Sequence, residues 1–183
     1  MKELSLNILD VAKNSVRAGA SLIEIALTHH HDAFLTLTIT DNGCGMEEDF
    51  LKHVTDPFYT TRTTRKVGLG LPLLKLAAEQ TGGSLTIQSS TKPPHNGTRL
   101  EARFNTASID CMPLGDIVST VCILIAGTPE IDFLFTHVSD TYRVSLDTRE
   151  LRAVLGDGIS LAEPEIQQWI REYLAEQYTS EPQ

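Results

Sequence analysis

The stretch "ITDNGCGM", residues 39–46, ends an alternating apolar run with an aspartate, an asparagine and two glycines. Asparagine and glycine tolerate positive φ at little cost, so the stretch by itself predicts a tight turn after a strand. Asp41 also stands at the end of that strand, where a carboxylate can meet a ligand. The patterns on either side decide between a plain turn and a ligand site.

Apolar spacing around this stretch predicts an alternation of helices and strands. Period-two patterns predict four strands, and helical spacing, with glycine at the end of two segments, predicts the helices. The order favours an α/β fold, a two-layer sandwich of a mixed β-sheet covered by helices. The predicted segments are a helix over 3–18, strands over 21–27 and 34–40, a short helix over 47–54, a loop over 55–68, a helix over 69–83, and strands over 84–90 and 98–104.

Two further patterns carry polar chemistry. In "VGLGLPL" (67–73), glycines open a predicted helix, where free backbone N–H groups favour a phosphate, although a flexible turn explains them as well. On the first helix, Asp10, Asn14 and Arg17 lie one turn apart on one face. An amide oxygen can coordinate Mg²⁺, a carboxylate can orient a water and a guanidinium can contact phosphate. The alternative is an ordinary solvated face.

Taken together and in order, five stretches resemble the motifs of the GHKL superfamily. This superfamily has the ATP-binding Bergerat fold that histidine kinases share with gyrase, Hsp90 and MutL. The resemblance covers roughly residues 3–105 and includes a final Gly-Thr strand. The five stretches are "LDVAKNSVRAGAS" (9–21), "DNGCGM" (41–46), "DPFYTTR" (56–62), "VGLGLPLLKLAAEQTGGSL" (67–85) and "NGTRLEARF" (96–104).

The resemblance implies ATP and Mg²⁺ as ligands. Asp41 would accept a hydrogen bond from the adenine amine, Gly43 and Gly45 would admit the base, and Thr98 would support Asp41 in the same network. Asn14 would hold Mg²⁺ and Arg17 would face the phosphates. The other residues implied to contact the nucleotide are Met46, Phe58 (the lid anchor), Thr60, Thr61, Gly68, Leu69, Gly70 and Leu71.

Two departures from the family pattern concern catalysis. Asp10 occupies the position where hydrolysing members carry a glutamate general base and histidine kinases often carry asparagine, so Asp10 is a candidate general base. The sequence starts at the first motif, so we expect no preceding helix with a phosphoacceptor histidine. The histidines lack an acceptor-like context, and His29–His31 are expected in a solvated loop; the others are His53, His95 and His137.

Charge divides the chain near residue 106. Residues 1–105 carry no net charge, whereas residues 106–183 carry 4 arginines, no lysine and 13 acidic residues, a net charge of −9. We therefore expect an ATP-binding domain over 1–105 and an acidic α/β extension over 106–183, whose role is packing, docking or dimerisation. The extension predicts a helix over 112–127, a hairpin over 132–147 with its turn at Ser139-Asp140, a helix over 147–157, and a helix over 163–178 with an apolar stripe of Ile166, Trp169, Ile170 and Tyr173.

The bulk composition limits the functional classes. A pI near 5.0 argues against nucleic-acid binding, and no apolar stretch is long enough to cross a bilayer. The 3 cysteines have no metal-ligand spacing, and the start of the chain does not have the pattern of a signal peptide, so a cytoplasmic location is expected.

The sequence therefore predicts a histidine-kinase-like ATPase or kinase catalytic domain. It would bind Mg-ATP and act on a separate protein that supplies the phosphoacceptor. The alternatives are a non-enzymatic ATP-dependent switch and an anti-sigma-type serine kinase; a MutL-like dimerising ATPase is a third interpretation. A homodimer stays open.

Overall fold

The structure, a computed structural model, describes residues 3–56, 69–156 and 158–179. Its strands are β1 (Leu22–His29), β2 (Phe34–Asp41), β3 (Ser84–Ser90), β4 (Gly97–Asn105), β5 (Asp132–Val138) and β6 (Arg143–Asp147). Its helices are α1 (Leu4–Arg17), α2 (Glu48–Leu51), α3 (Gly70–Gln80), α4 (Ile117–Gly127), α5 (Thr148–Leu155) and α6 (Pro164–Thr179).

The strands form one 6-stranded sheet in the order β3-β4-β2-β1-β5-β6. Neighbouring strands are antiparallel except β1 and β5, which are parallel, so the sheet is mixed. The predicted α/β class with a mixed sheet and covering helices is confirmed. The predicted strands and helices of residues 3–105 are present with ends shifted by a few residues, and the loop predicted over 55–68 lies largely outside the described residues.

Alternation along the strands buries one face of the sheet. On β1, Ile23, Ile25 and Leu27 are almost fully buried, while the residues between them are only partly covered. The buried positions of β2, β4, β5 and β6 follow the same period of two, which fits a sheet covered by helices on one side. Fully burying one aliphatic side chain contributes roughly 1.5–3 kcal/mol, so the buried face of the sheet contributes substantially to the stability of the core.

Helix α1 lies at the centre of the covering layer. Its stripe of Leu4, Ile8, Val11 and Ala12 is buried, and the helix contacts both α3 and α4. The first amide groups of a helix have no partner within the helix. For α1, the segment before α4 supplies the hydrogen-bond acceptors. The Leu4 and Ser5 N–H groups donate to the carbonyls of Pro113 and Leu114, at 2.9 and 2.8 Å.

The acidic extension shares the sheet and the core with the preceding residues. Strand β5 pairs with β1 from Leu22↔Asp132 to Thr28↔Val138, and β6 follows as the edge strand. Buried side chains of α4 and α6 belong to the same hydrophobic cluster as those of α1. The predicted hairpin, with its turn at Ser139-Asp140, is present between β5 and β6.

Helix α6 corrects the predicted stripe. Ile170 and Leu174 are fully buried, whereas Trp169 is 46% exposed and Tyr173 is 37% exposed. Only the i, i+4 row of Ile170 and Leu174 is fully buried where α6 packs against β6 and α4. The buried face of α6 is therefore narrower than the stripe that the sequence predicts. Trp169 and Tyr173 stack on each other instead, with ring centroids 4.9 Å apart.

The predicted solvated histidine loop is also wrong for His29. This residue ends β1, and its Nε2 lies 3.1 Å from Nε2 of the buried His137 on β5. The Tyr142 hydroxyl lies 3.1 Å from the same His137 nitrogen, and the Tyr178 hydroxyl lies 2.8 Å from His137 Nδ1. These four residues form the histidine–tyrosine cluster. His30 and His31 are exposed, as expected.

No helix among the described residues combines the length and the apolarity needed to span a membrane.

Candidate functional site

The Asp41 carboxylate is held in place from two sides. The buried Ser15 hydroxyl of α1 donates to Oδ2 at 2.6 Å, and the Gly43 backbone N–H donates to Oδ1 at 3.0 Å. Asp41 is itself only half-buried, and each carboxylate oxygen can accept more than one hydrogen bond. The side chain is therefore oriented by the protein and retains acceptor capacity for a further donor.

A polar row crosses three strands beside this carboxylate. Asp41 on β2 is opposite Thr98 on β4, which is opposite Ser89 on β3. Ser89 Oγ donates to the Gly97 carbonyl, lies 2.9 Å from the Thr98 hydroxyl and accepts the Met46 N–H at 2.8 Å. Within the described part of the chain, the Thr98 hydroxyl contacts Ser89, and the hydrogen bonds to the Asp41 carboxylate come from Ser15 and Gly43. The implied support of Asp41 by Thr98 through this network stays a prediction.

The turn of residues 41–46 is itself firmly anchored. The Asn42 side-chain oxygen accepts the Ser21 and Leu22 N–H groups, and the Asn96 amide donates to the Gly43 carbonyl. The stretch is thus a tight turn that also holds the Asp41 carboxylate in a fixed orientation. The turn interpretation and the ligand-site interpretation of the sequence are therefore compatible.

Two glycines of the turn are required by packing. Gly45 has φ of +72°, and a Cβ added there would lie 1.9 Å from the Ser90 carbonyl oxygen. A Cβ at Gly43 would lie 2.8 Å from the Ala18 side chain. Close approach of the turn to α1 and β3 explains both residues, and their implied role beside a base stays a prediction.

Helix α1 brings the predicted metal and phosphate residues to the same end of the sheet. Asn14 immediately precedes Ser15, and its side-chain oxygen accepts a hydrogen bond from Arg17 Nη1 at 2.8 Å. Asp10 is exposed one turn earlier. The Asn14 oxygen is the type of ligand that Mg²⁺ prefers, and the cation could bind there if Arg17 turned away. The donor set therefore fits the implied ligands.

The start of α3 lies against this face of α1. A Cβ at Gly70 would be 3.5 Å from Asp10 Cβ, so the first turn of α3 is in contact distance of Asp10. Leu69 is exposed and Leu71 packs against the core. The predicted residues Phe58, Thr60, Thr61 and Gly68 lie outside the described residues.

Sequence reasoning missed several residues that position the site: Ser15, Asn42, Ser89 and Asn96. One of them carried a local signal. Ser15 is a polar residue in the apolar stripe of α1, where a buried hydroxyl needs a partner. The other three depend on the pairing of distant segments, which no local pattern reports.

Comparison with known families identifies one family. The family described as "Histidine kinase-, DNA gyrase B-, and HSP90-like ATPase" matches residues 2–108. The matched region contains α1 to α3 and β1 to β4, and with them every site residue described above.

Several relatives are sensor proteins or kinases. The signal transduction histidine-protein kinase AtoS of Escherichia coli is 33% identical over 89 residues, which are 49% of this chain and 14% of AtoS. The C4-dicarboxylate transport sensor protein DctB of Pseudomonas aeruginosa is 48% identical over 52 residues, 28% of this chain and 8% of DctB. The chain therefore spans less than a fifth of these relatives.

A solved structure shows a similar fold. The N-terminal domain of a DNA repair protein superposes with a TM-score of 0.59 at 15% identity, over 86% of this chain and 58% of that one. A match of that extent passes beyond residue 108, so the likeness in fold includes part of the acidic extension.

Proposed function

The chain belongs to the family of histidine kinase-, DNA gyrase B- and HSP90-like ATPases, an ATP-binding family, and from this premise we propose a specific activity. It is a histidine-kinase-like catalytic domain that binds Mg-ATP and transfers or releases the γ-phosphate in the service of a separate protein. The observation that carries the proposal is the Asp41 carboxylate, fixed by Ser15 and Gly43 and still half-exposed.

Asp41 selects the base. Its carboxylate accepts, so it pairs with the exocyclic amine of adenine and opposes the carbonyl oxygen that guanine carries at the same position. A charged acceptor that the protein already orients forms this bond without further ordering. The site should therefore bind ATP and discriminate against GTP.

The polar face of α1 binds the phosphates. Asn14 would hold Mg²⁺ through its amide oxygen, and Arg17, now hydrogen-bonded to Asn14, would turn to a phosphate oxygen. When bound, the cation supplies charge neutralisation, the main requirement of phosphoryl transfer. The position of Gly70 supports this arrangement, since the start of α3 lies beside Asp10 and the first backbone N–H groups of a helix favour an anion.

Asp10 is the candidate general base for hydrolysis. It is exposed on the same face of α1 as Asn14, where it can orient a water beside the phosphates. Substitution Asp10→Asn should lower the release of phosphate by at least about tenfold, since general bases contribute about 10²–10⁴-fold, and should leave ATP affinity unchanged. Asp110→Asn, an exposed aspartate of the extension, is the matched control.

Four histidines lie at the other end of the sheet. Asp41 pairs with Ile23 at one end of β1, whereas His29 pairs with Leu35 at the other, roughly 20 Å away by strand geometry. His30 and His31 follow His29 directly, and His137 contacts it. This distance argues against these four histidines as the phosphoacceptor and so supports an acceptor on a separate protein, whereas His95 lines the same cleft as Asp41.

The first experiment follows the γ-phosphate of labelled ATP with the full chain and Mg²⁺, counting free phosphate and protein-bound label. Free phosphate that falls with Asp10→Asn supports an ATPase with Asp10 as its base. Equal loss of hydrolysis and ATP affinity in that variant would contradict the assignment of Asp10.

ATP binding without release or transfer of phosphate would favour a different function. If ATP binds and neither free phosphate nor label appears, the non-enzymatic switch becomes the better interpretation, unless adding candidate acceptor proteins restores transfer. Absence of ATP binding, tested by calorimetry, would overturn the proposal.

A further inference from the structure

An aromatic surface on α6 faces solvent outside the region that the ATPase family matches. Trp169 and Tyr173 are 46% and 37% exposed, although the neighbouring Ile170 and Leu174 are fully buried. Their rings are nearly parallel, at 12°, with centroids 4.9 Å apart. The stacked rings form a flat surface, here called the aromatic pair, that stays partly open to solvent.

Carboxylates border the aromatic pair on one side. By helical spacing, Glu165 lies one turn before Trp169, Glu172 lies one turn after it, and Glu176 lies one turn after Tyr173. All three glutamates are exposed, and Glu172 also accepts a hydrogen bond from Gln168.

The positively charged side chain of α6 contacts α4 rather than the aromatic pair. Arg171 is the one basic residue in the α6 sequence, and its guanidinium donates to Ser119 Oγ of α4 at 2.8 Å. The aromatic pair therefore lies in a strongly negative setting, in a segment, residues 106–183, with a net charge of −9.

The edge of the sheet beside α6 does not accept an added strand at its centre. On the edge strand β6, the Ser145 N–H donates to Gln177 Oε1 at 2.9 Å, and Gln177 Nε2 donates to the Ser145 carbonyl at 3.1 Å. One side-chain amide thus occupies both outward groups of the central residue of the strand. We therefore expect a partner on this side to contact side chains along α6 rather than to extend the sheet.

We propose that the aromatic pair and its three glutamates form a docking surface for a basic segment of a partner protein. An arginine of that segment stacks on the rings through a cation–π contact and pairs with the glutamates. Charge complementarity selects this occupant: a second copy of this acidic chain, an anionic membrane and a nucleic acid would all be repelled. The surface lies after residue 108, so the inference does not depend on the proposed ATP chemistry.

The test uses the full chain and a fluorescein-labelled peptide of repeated Arg-Gly-Leu units. Trp169 is the only tryptophan in the sequence, so its emission reports this surface directly. We expect the peptide to change Trp169 emission and to gain anisotropy on binding, more weakly as salt increases. Replacing arginine by lysine in the peptide should weaken binding, because arginine stacks better on aromatic faces.

Two sets of variants locate the binding. Combined Trp169→Ala and Tyr173→Ala should weaken binding at least about tenfold, as for aromatic anchors of other interfaces. Ile123→Ala is the matched control, since Ile123 is a similarly exposed apolar residue, at 52%, on α4. Glu165→Gln, Glu172→Gln and Glu176→Gln together remove charge without removing packing, and should weaken binding more than Asp110→Asn, Glu130→Gln and Glu150→Gln together.

Three results would overturn the proposal. One is unchanged Trp169 emission and anisotropy at saturating peptide and low salt. Another is equal weakening by the two charge sets, which would mean attraction to the acidic chain as a whole. The third is equal binding of a peptide with glutamate in place of arginine, which would mean apolar adhesion alone.

Discussion

At one end of the β1–β2 pair, the Asp41 carboxylate is held by two donors and remains half-exposed. At the other end, His29 and His137 meet through their Nε2 atoms, the Tyr142 hydroxyl contacts the same nitrogen of the buried His137, and the Tyr178 hydroxyl contacts its Nδ1. Both ends orient polar side chains with hydrogen bonds. Asp41 retains capacity for an outside donor, whereas the histidine–tyrosine cluster satisfies itself. We therefore expect changes at the first end to alter ligand binding and changes at the second to alter stability.

Substitution of Asp41 tests the binding end most directly. Asp41→Asn keeps the size of the side chain but replaces an acceptor by an amide that can face the adenine amine with its own donors. We expect ATP affinity to fall by about 1000-fold, about 4 kcal/mol, because a site built to accept a hydrogen bond is left mispaired. Isothermal titration calorimetry measures the affinity. An affinity within a factor of a few of the original would remove Asp41 from the adenine site.

Acid should destabilise the fold through the other end. Burial, with the charge of His29, lowers the pKa of His137 to about 4, and burial also lowers the pKa of His29, against the effect of Asp140. An unfolded histidine has a pKa of about 6.5. Between these pH values the unfolded chain binds protons that the folded chain does not bind. The free energy of unfolding therefore falls as the pH drops from about 6.5 towards 4, by up to about 3 kcal/mol for His137.

Urea unfolding at several pH values measures this dependence. His137→Gln, which retains hydrogen-bonding groups and does not titrate, should flatten it, whereas His30→Gln, an exposed neighbour, should not. Hydrogen bonds from Ser119 and Arg149 lower the pKa of Asp116 and Asp147, whose contributions are lost only at a lower pH. An unchanged slope in His137→Gln would contradict the assignment.

The smallest expected effect is the loss of ATP affinity when the hydrogen bond from Ser15 to Asp41 is removed. Ser15→Ala removes the 2.6 Å hydrogen bond to Oδ2 and should weaken ATP binding about fivefold to tenfold, about 1 kcal/mol. Ser5→Ala is the matched control, because Ser5 is another buried serine of α1 and its hydroxyl contacts Glu3. Equal effects of the two substitutions on ATP affinity would mean that Ser15 acts only through the packing of α1.

The sequence predicted the fold where local patterns are decisive. Strict alternation along β1 and β2 and the apolar stripe of α1 each determine an element without reference to distant residues. The contacts within the polar row of Asp41, Thr98 and Ser89 could be predicted only in part. Asp41 and Thr98 were expected near each other, but which hydroxyl meets which partner depends on strand register, and register placed Ser89 beside Thr98.

The contacts that sequence reasoning missed join residues far apart in the chain. His29 was expected in a solvated loop because it lies in a polar connection between two predicted strands, and its contact with His137 exists only because β5 pairs with β1. The exposure of Trp169 was missed for a related reason. Helical periodicity shows that Trp169 and Ile170 lie near one side of α6, but the width of the surface against which α6 packs decides which of them is covered.

The parallel pairing of β1 with β5 also has a consequence for synthesis on the ribosome. Leu22 emerges long before its partner Asp132, and β1 must keep one edge open in the meantime. At roughly 5–20 residues per second, that interval lasts on the order of 5–20 s. During this interval the edge of β1 that β5 later covers lacks its partner strand, and unpaired strand edges are prone to pair with other chains. The acidic extension thus covers the edge of a strand that was synthesised before it.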